Sequence, residues 1–113
     1  MEVSVNRDGR VTVIAVEGSI DAFTADDFLK SMQAQVAAGD IQLVADLSEV
    51  DYASSAGLSA ILVALKQSRE GGGDLRLAAV QKGVYRVLEL SGFNSLLKIY
   101  DDVESAVASY GRA

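Results

Sequence analysis

The chain reads as a single α/β domain whose elements follow the order ββαβαβαβα, a mixed sheet of about five strands carrying about four helices. Three observations point there. Short apolar runs alternate with stretches of helical periodicity, the first three helix-like stretches end in glycine, and the two opening strand-like runs are joined by a tight-turn signal. With 113 residues, half of them apolar, the chain can bury one modest core. No linker, repeat or low-complexity tract divides it.

Val3 and Val5, then Val11, Val13 and Ala15, alternate with other residues on either side of Asp8-Gly9. This dipeptide suits the positive φ angles of a two-residue hairpin, so two antiparallel strands open the domain. Ala25, Phe28, Leu29, Met32 and Val36 share one face of a helix over residues 25–38, with Thr24 as its cap and Gly39 as its stop. Asp26, Lys30 and Gln33 make the wet face. The run Ile41-Gln42-Leu43-Val44-Ala45-Asp46 is short and largely apolar, which predicts a strand covered on both faces in the middle of the sheet.

A second helix is predicted from Ser54 or Ser55, with Leu58, Ile61, Leu62 and Leu65 on one face and Gly71-Gly72-Gly73 as its end. Leu75, Leu77 and Ala79 supply the next strand. Val84, Val87 and Leu88 define a helix over residues 82–91, closed by Gly92. The short strand Leu97-Lys98-Ile99-Tyr100 then precedes a helix over residues 102–110 that buries Val103, Ala106, Val107 and Tyr110. Strands separated by helices imply parallel neighbours joined by right-handed crossovers.

Composition removes several function classes. The chain has no Cys and no His, so it has no disulfide framework, no thiolate nucleophile and neither of the usual zinc ligands. No metal, cofactor or catalytic residue is expected. The formal charge is −6, and the ten basic residues are scattered from Arg7 to Arg112, which disfavours nucleic acid and anionic membranes as partners. No apolar run is long enough to cross a bilayer and the first residues lack a signal-peptide pattern, so a cytosolic protein is expected. Asp26-Asp27 and Asp101-Asp102 suit helix starts, where carboxylates favour the dipole. The glycines at 71–73 follow a helix and lack the Lys and hydroxyl of a phosphate-binding loop.

The most informative stretch leads from the central strand into the second helix, Asp46-Leu47-Ser48-Glu49-Val50-Asp51-Tyr52-Ala53-Ser54-Ser55-Ala56-Gly57-Leu58. Loops beyond the carboxyl ends of strands are where α/β sheets meet ligands and partners. Read for structure alone, Ser54 or Ser55 caps the helix and Gly57 eases close packing. Read for function, a Ser beside a positive helix end is a place where the fold tolerates a phosphate. Asp21, just before the first helix, is by the same logic a loop cap or dipole partner. Phe23, Tyr52 and Phe93 are read first as core residues and otherwise as aromatic contacts at an interface rim.

With these blocks in place, the chain resembles the STAS domain family, the anti-sigma-factor antagonists of bacterial partner-switching systems. The likeness rests on Glu17-Gly18-Ser19-Ile20-Asp21, on Asp46-Leu47-Ser48, on Ser54-Ser55-Ala56-Gly57-Leu58 and on Val87-Leu88-Glu89-Leu90-Ser91-Gly92-Phe93. It is the order and spacing of all four that make it specific. The resemblance implies a single STAS-like domain over residues 1–113, acting as a switch and not as an enzyme.

It further implies that Ser55, two positions before Gly57, is phosphorylated by a partner anti-sigma factor, a serine kinase with a GHKL-type ATP-binding fold. A PPM-type serine phosphatase reverses this, and the unphosphorylated form binds the kinase and releases its sigma factor. Several family members have Asp before the acceptor and Ser or Thr after it, where this chain has Ser54 and Ala56. Ser54 is therefore the alternative acceptor. Asp21, Phe23, Asp46, Ser54, Ser55, Ala56 and Gly57 are the expected partner-contact residues, on a monomer or weak dimer.

Asp21, Asp46, Glu49 and Asp51 are expected at one end of the sheet, with no Lys or Arg near Ser55 in sequence. Phosphorylation should then block binding by charge and bulk, without a large conformational change. The other roles open to such a domain are a scaffold or sensor module in a signalling or secretion complex, and an accessory subunit of a lipid or anion transport system.

Overall fold

The computed structural model describes residues 1–111. Its elements are β1 (Glu2–Asp8), β2 (Val11–Glu17), α1 (Ala25–Ala37), β3 (Gln42–Glu49), α2 (Ser55–Glu70), β4 (Asp74–Ala78), α3 (Lys82–Leu90), β5 (Lys98–Tyr100) and α4 (Val103–Ala108), with a 3-10 turn, Phe93–Ser95, ahead of β5. The expected order holds. One sheet of five strands runs β1-β2-β3-β4-β5. β1 is antiparallel to β2, and the hairpin loop is Gly9-Arg10, one residue later than the expected Asp8-Gly9: Asp8 still pairs with Val11 as the last residue of β1, and Gly9 takes the left-handed φ of 64° that the turn requires. The other neighbours are parallel, and β3 is the central strand.

Three successive crossovers move along the sheet in one direction, so α1, α2 and α3 pack on one face. Phe28 and Met32 of α1, Leu58, Ile61 and Leu65 of α2, and Val84 and Leu88 of α3 close over Ile14, Leu43, Ala45, Leu47, Leu75 and Leu77. Among the described residues the second face is covered by α4 and the turn that follows it, where Val11, Val13, Val44 and Ala78 meet Ala106. β3 alternates between the two clusters, which is why it reads as a nearly continuous apolar run.

Several boundaries differ from expectation. β3 runs to Glu49 and not to Asp46, because Leu47 is still a core residue while Asp46 and Ser48 fall on the sparsely covered face, where polar side chains are tolerated. β4 stops at Ala78. Ala79 has a φ of 56°, a left-handed conformation that takes it out of the strand while its N–H still donates to the Tyr100 carbonyl. α4 is shorter than residues 102–110 because its last turn tightens, with Tyr110 N–H donating to the Val107 carbonyl three residues back.

Tyr110 nevertheless anchors this end. Its hydroxyl lies 2.6 Å from the Leu43 carbonyl oxygen and 2.8 Å from that of Asp74. The Arg76 guanidinium stacks 3.8 Å from the ring centroid and also pairs with Asp74, which holds Arg69 of α2 as well. A single polar network thus ties α2, β4 and the C-terminal turn together at the amino end of the parallel strands.

Candidate functional site

At the opposite end, beyond β2 and β3, two loops are laced together. Gly18 N–H donates to the Glu49 carbonyl (3.0 Å), Ile20 N–H to the Tyr52 carbonyl (2.9 Å), and Ser54 N–H to the Ile20 carbonyl (2.9 Å). Ile20 and Ala53 form a parallel bridge, so the pairing of β2 with β3 is carried past the strands to Ser54, just ahead of α2. Ser19 Oγ adds a side-chain donor to Asp51 at 3.3 Å. This lacing sets Ile20, which immediately precedes the Asp21 turn, against Ser54 at the start of α2, more than thirty residues away in sequence.

The two serines divide their roles. Ser54, in an extended conformation, is the N-cap of α2, its Oγ accepting from Gly57 N–H at 3.3 Å. Ser55 is the first helical residue, is exposed, and makes no side-chain hydrogen bond among the described residues. Its hydroxyl is free at the positive end of a 16-residue helix. Ala56 is half-buried, and Gly57 is buried with its α-carbon against the Ile20 carbonyl.

Asp21 is the cap of its own turn. Its Oδ1 accepts from the N–H groups of Phe23 (2.9 Å) and Thr24 (3.2 Å), and its carbonyl accepts from Ala25 N–H (2.8 Å). Thr24, expected to cap α1 with its side chain, precedes the helix but gives it no side-chain bond. Its Oγ1 turns back instead, donating to the Ser19 carbonyl (2.6 Å) and accepting from Asp21 N–H (3.0 Å). The turn wins because it satisfies backbone groups on both sides of Asp21 at once.

This rigid turn presents Phe23, which is 92% exposed, and Tyr52 on the facing loop is 53% exposed. The core reading of these two aromatics is corrected: each sits on a connecting loop outside the strands and helices and is exposed. Phe93 alone of the three packs against the core. Asp46 is half-buried on β3, its Oδ1 accepting from Ser48 N–H at 3.0 Å. Strand alternation puts it on the α4 face with Val44, so it shares the end of the sheet with Ser55 but not the face.

Glu49 and Asp51 are exposed on the same edge, and none of the ion pairs among the described residues, Arg7–Asp40, Lys30–Asp26, Arg69–Asp74 and Arg76–Asp74, involves an acid of this site. The acids of this edge are therefore not neutralised by a paired Lys or Arg among the described residues. Sequence reasoning missed Ile20 as the hub of the site and Ser19–Asp51 as its stitch. The one local signal was Gly57 itself, whose missing side chain marks a close backbone approach without naming the partner.

The family model for the STAS domain matches residues 2–106. The chain is 31% identical over 113 residues to a protein of Bordetella bronchiseptica named as the anti-sigma factor antagonist BtrV, covering 100% of this chain and 97% of that one. It is 31% identical over 86 residues to the anti-sigma-B factor antagonist of Listeria monocytogenes, covering 76% of this chain and 75% of the relative. A crystal structure from Thermotoga maritima, described as that of an anti-sigma factor antagonist, superposes with a TM-score of 0.91 over 97% of this chain and 95% of that one, at 24% identity, and so shares the fold.

Proposed function

Because the chain belongs to the STAS domain family, we propose that it is an anti-sigma-factor antagonist of a bacterial partner-switching system, with Ser55 as its phosphorylation switch. The unphosphorylated domain binds an anti-sigma factor, and the sigma factor that the anti-sigma factor held is released. The partner is a serine kinase of GHKL type, a PPM-type phosphatase resets the switch, and the exchange takes place in the cytoplasm. The domain is the substrate of both enzymes and itself catalyses nothing.

One observation carries this reading. Of the two adjacent serines, Ser54 commits its hydroxyl to the helix cap while Ser55 is exposed and unbonded. A kinase can therefore reach Ser55 without dismantling α2. A phosphate there adds about −1.5 to −2 charges. The helix end favours it by about 0.3–1 kcal/mol, so the fold persists. The interface does not persist, because the added charge must be buried against the partner beside a loop whose exposed Glu49 and Asp51 are unpaired among the described residues, and every ~1.4 kcal/mol lost is tenfold in affinity.

Incubation with a kinase anti-sigma factor and ATP, followed by mass spectrometry, should place the phosphate on Ser55 alone. Ser55→Ala should bind the kinase and accept no phosphate, and Ser55→Asp should bind poorly. Phosphate on Ser54, or a Ser55→Asp protein that binds the kinase and releases the sigma factor like the parent, would overturn the assignment.

A further inference from the structure

Between α3 and β5 lies an open cleft of about 620 Å3 that the Ser55 site does not use. One wall is a single stripe of α3: Lys82, Tyr85, Arg86 and Glu89 recur at i, i+3, i+4 and i+7, on the face turned away from the buried Val84 and Leu88. The other wall comes from Val80, Ile99, Tyr100 and Asp101, at the carboxyl ends of β4 and β5. Its volume falls within the range of about 300–1,000 Å3 common for small-molecule sites, and its place beyond the strand ends is where α/β sheets bind ligands.

The cations on this cleft are unpaired. Lys82 and Arg86 take part in none of the ion pairs among the described residues, although Glu89 and Asp101 line the same space. On a chain of net charge −6, two such cations lie one helical turn apart on one concave wall. The helix that bears them is also open at that end: Gln81, at its N-cap, gives no side-chain bond to the first turn, because its amide reaches across to donate to the Ser48 carbonyl at 2.8 Å. The apolar part of the lining is Val80, Ile99 and the rings of Tyr85 and Tyr100.

We propose that this cleft binds a small organic anion with a planar apolar body. The acid group sits between Lys82, Arg86 and the first turn of α3, and the body lies against Tyr85, Tyr100, Val80 and Ile99. The inference is independent of the Ser55 switch and stands or falls without it.

Anilinonaphthalene sulfonate is a suitable probe, with the uncharged phenylnaphthylamine as its control. The sulfonate should bind saturably, one per chain, and shift the backbone amide resonances of residues 80–86 and 99–101. Lys82→Ala combined with Arg86→Ala, both at exposed positions, should keep the circular dichroism of the parent and weaken the sulfonate about tenfold or more. The uncharged control should bind the parent about tenfold more weakly than the sulfonate and be indifferent to the double substitution. Glu89→Gln should leave sulfonate binding equal or tighter. The proposal is overturned if binding does not saturate, if the shifts fall instead on the apolar groove at Leu62, Leu65 and Leu96, or if the double variant binds the sulfonate as the parent does.

Discussion

The α-carbon of Gly57 packs so closely on the carbonyl oxygen of Ile20 that a methyl group there would overlap it. That carbonyl is the acceptor for Ser54 N–H, so the third residue of α2 and the bond that seats its cap meet at one atom. The start of α2 is therefore positioned by the loop after β2, and the exposure of Ser55 is a consequence of that contact.

Gly57→Ala should push α2 off the Ile20 carbonyl and break the Ile20–Ala53 bridge. The rigid backbone on the other side leaves nothing to yield cheaply, so the expected loss is about 1–3 kcal/mol. The urea midpoint measures it, and amide exchange should rise first at Ile20 and Ser54.

The neighbouring serines should separate in a stability measurement. Ser54→Ala removes the side-chain acceptor for Gly57 N–H and should cost about 1 kcal/mol. Ser55→Ala touches no bond and should stay within about 0.5 kcal/mol of the parent. Equal losses at both positions would contradict the assignment of Ser54 as cap.

Phe23→Ala should leave the unfolding midpoint unchanged, since the ring is exposed, yet weaken binding to the anti-sigma factor by about tenfold or more, as expected of an aromatic anchor. Calorimetry on the complex and denaturation of the free domain together decide it. An unchanged affinity would remove Phe23 from the interface.

Thr12 is 1% exposed and its Oγ1 has no partner among the described residues. Thr12→Val keeps the shape and deletes the unpaired hydroxyl, so a gain of about 1 kcal/mol is expected in the same denaturation assay.

Burial, reinforced by the Asp74 charge, pushes the Tyr110 hydroxyl well above its ordinary value of 10.0. The folded chain thus holds this proton more tightly than the unfolded chain does. The associated stability is fully present below about pH 10 and drains away as pH rises from there toward the folded value. Tyr110→Phe should be about 1 kcal/mol less stable at neutral pH, having lost the bond shared by the Leu43 and Asp74 carbonyls. Above pH 10 it should lose stability less steeply than the parent.

The identity and order of the elements were legible from residues alone, because periodicity is a local property. Phe28 and Met32 lie one turn apart wherever α1 is placed, and the glycine at position 9 needs only its own turn to be useful. The parallel neighbours followed from helices inserted between strands. The four blocks of the STAS resemblance were legible for a similar reason: each is a contiguous run.

What the sequence left open was decided by contacts between distant residues. Nothing local distinguishes Ser54 from Ser55; the Ile20 carbonyl does so, by fixing the backbone of Ser54 in the cap conformation and leaving Ser55 free. Nothing local shows that Phe23 faces solvent while Phe28 is buried; the Asp21 turn does so. Thr24 lost its expected role to a carbonyl five residues earlier. Hydrophobic pattern records which side chains avoid water within an element, whereas hydrogen-bond partners and exposed edges depend on where the elements meet.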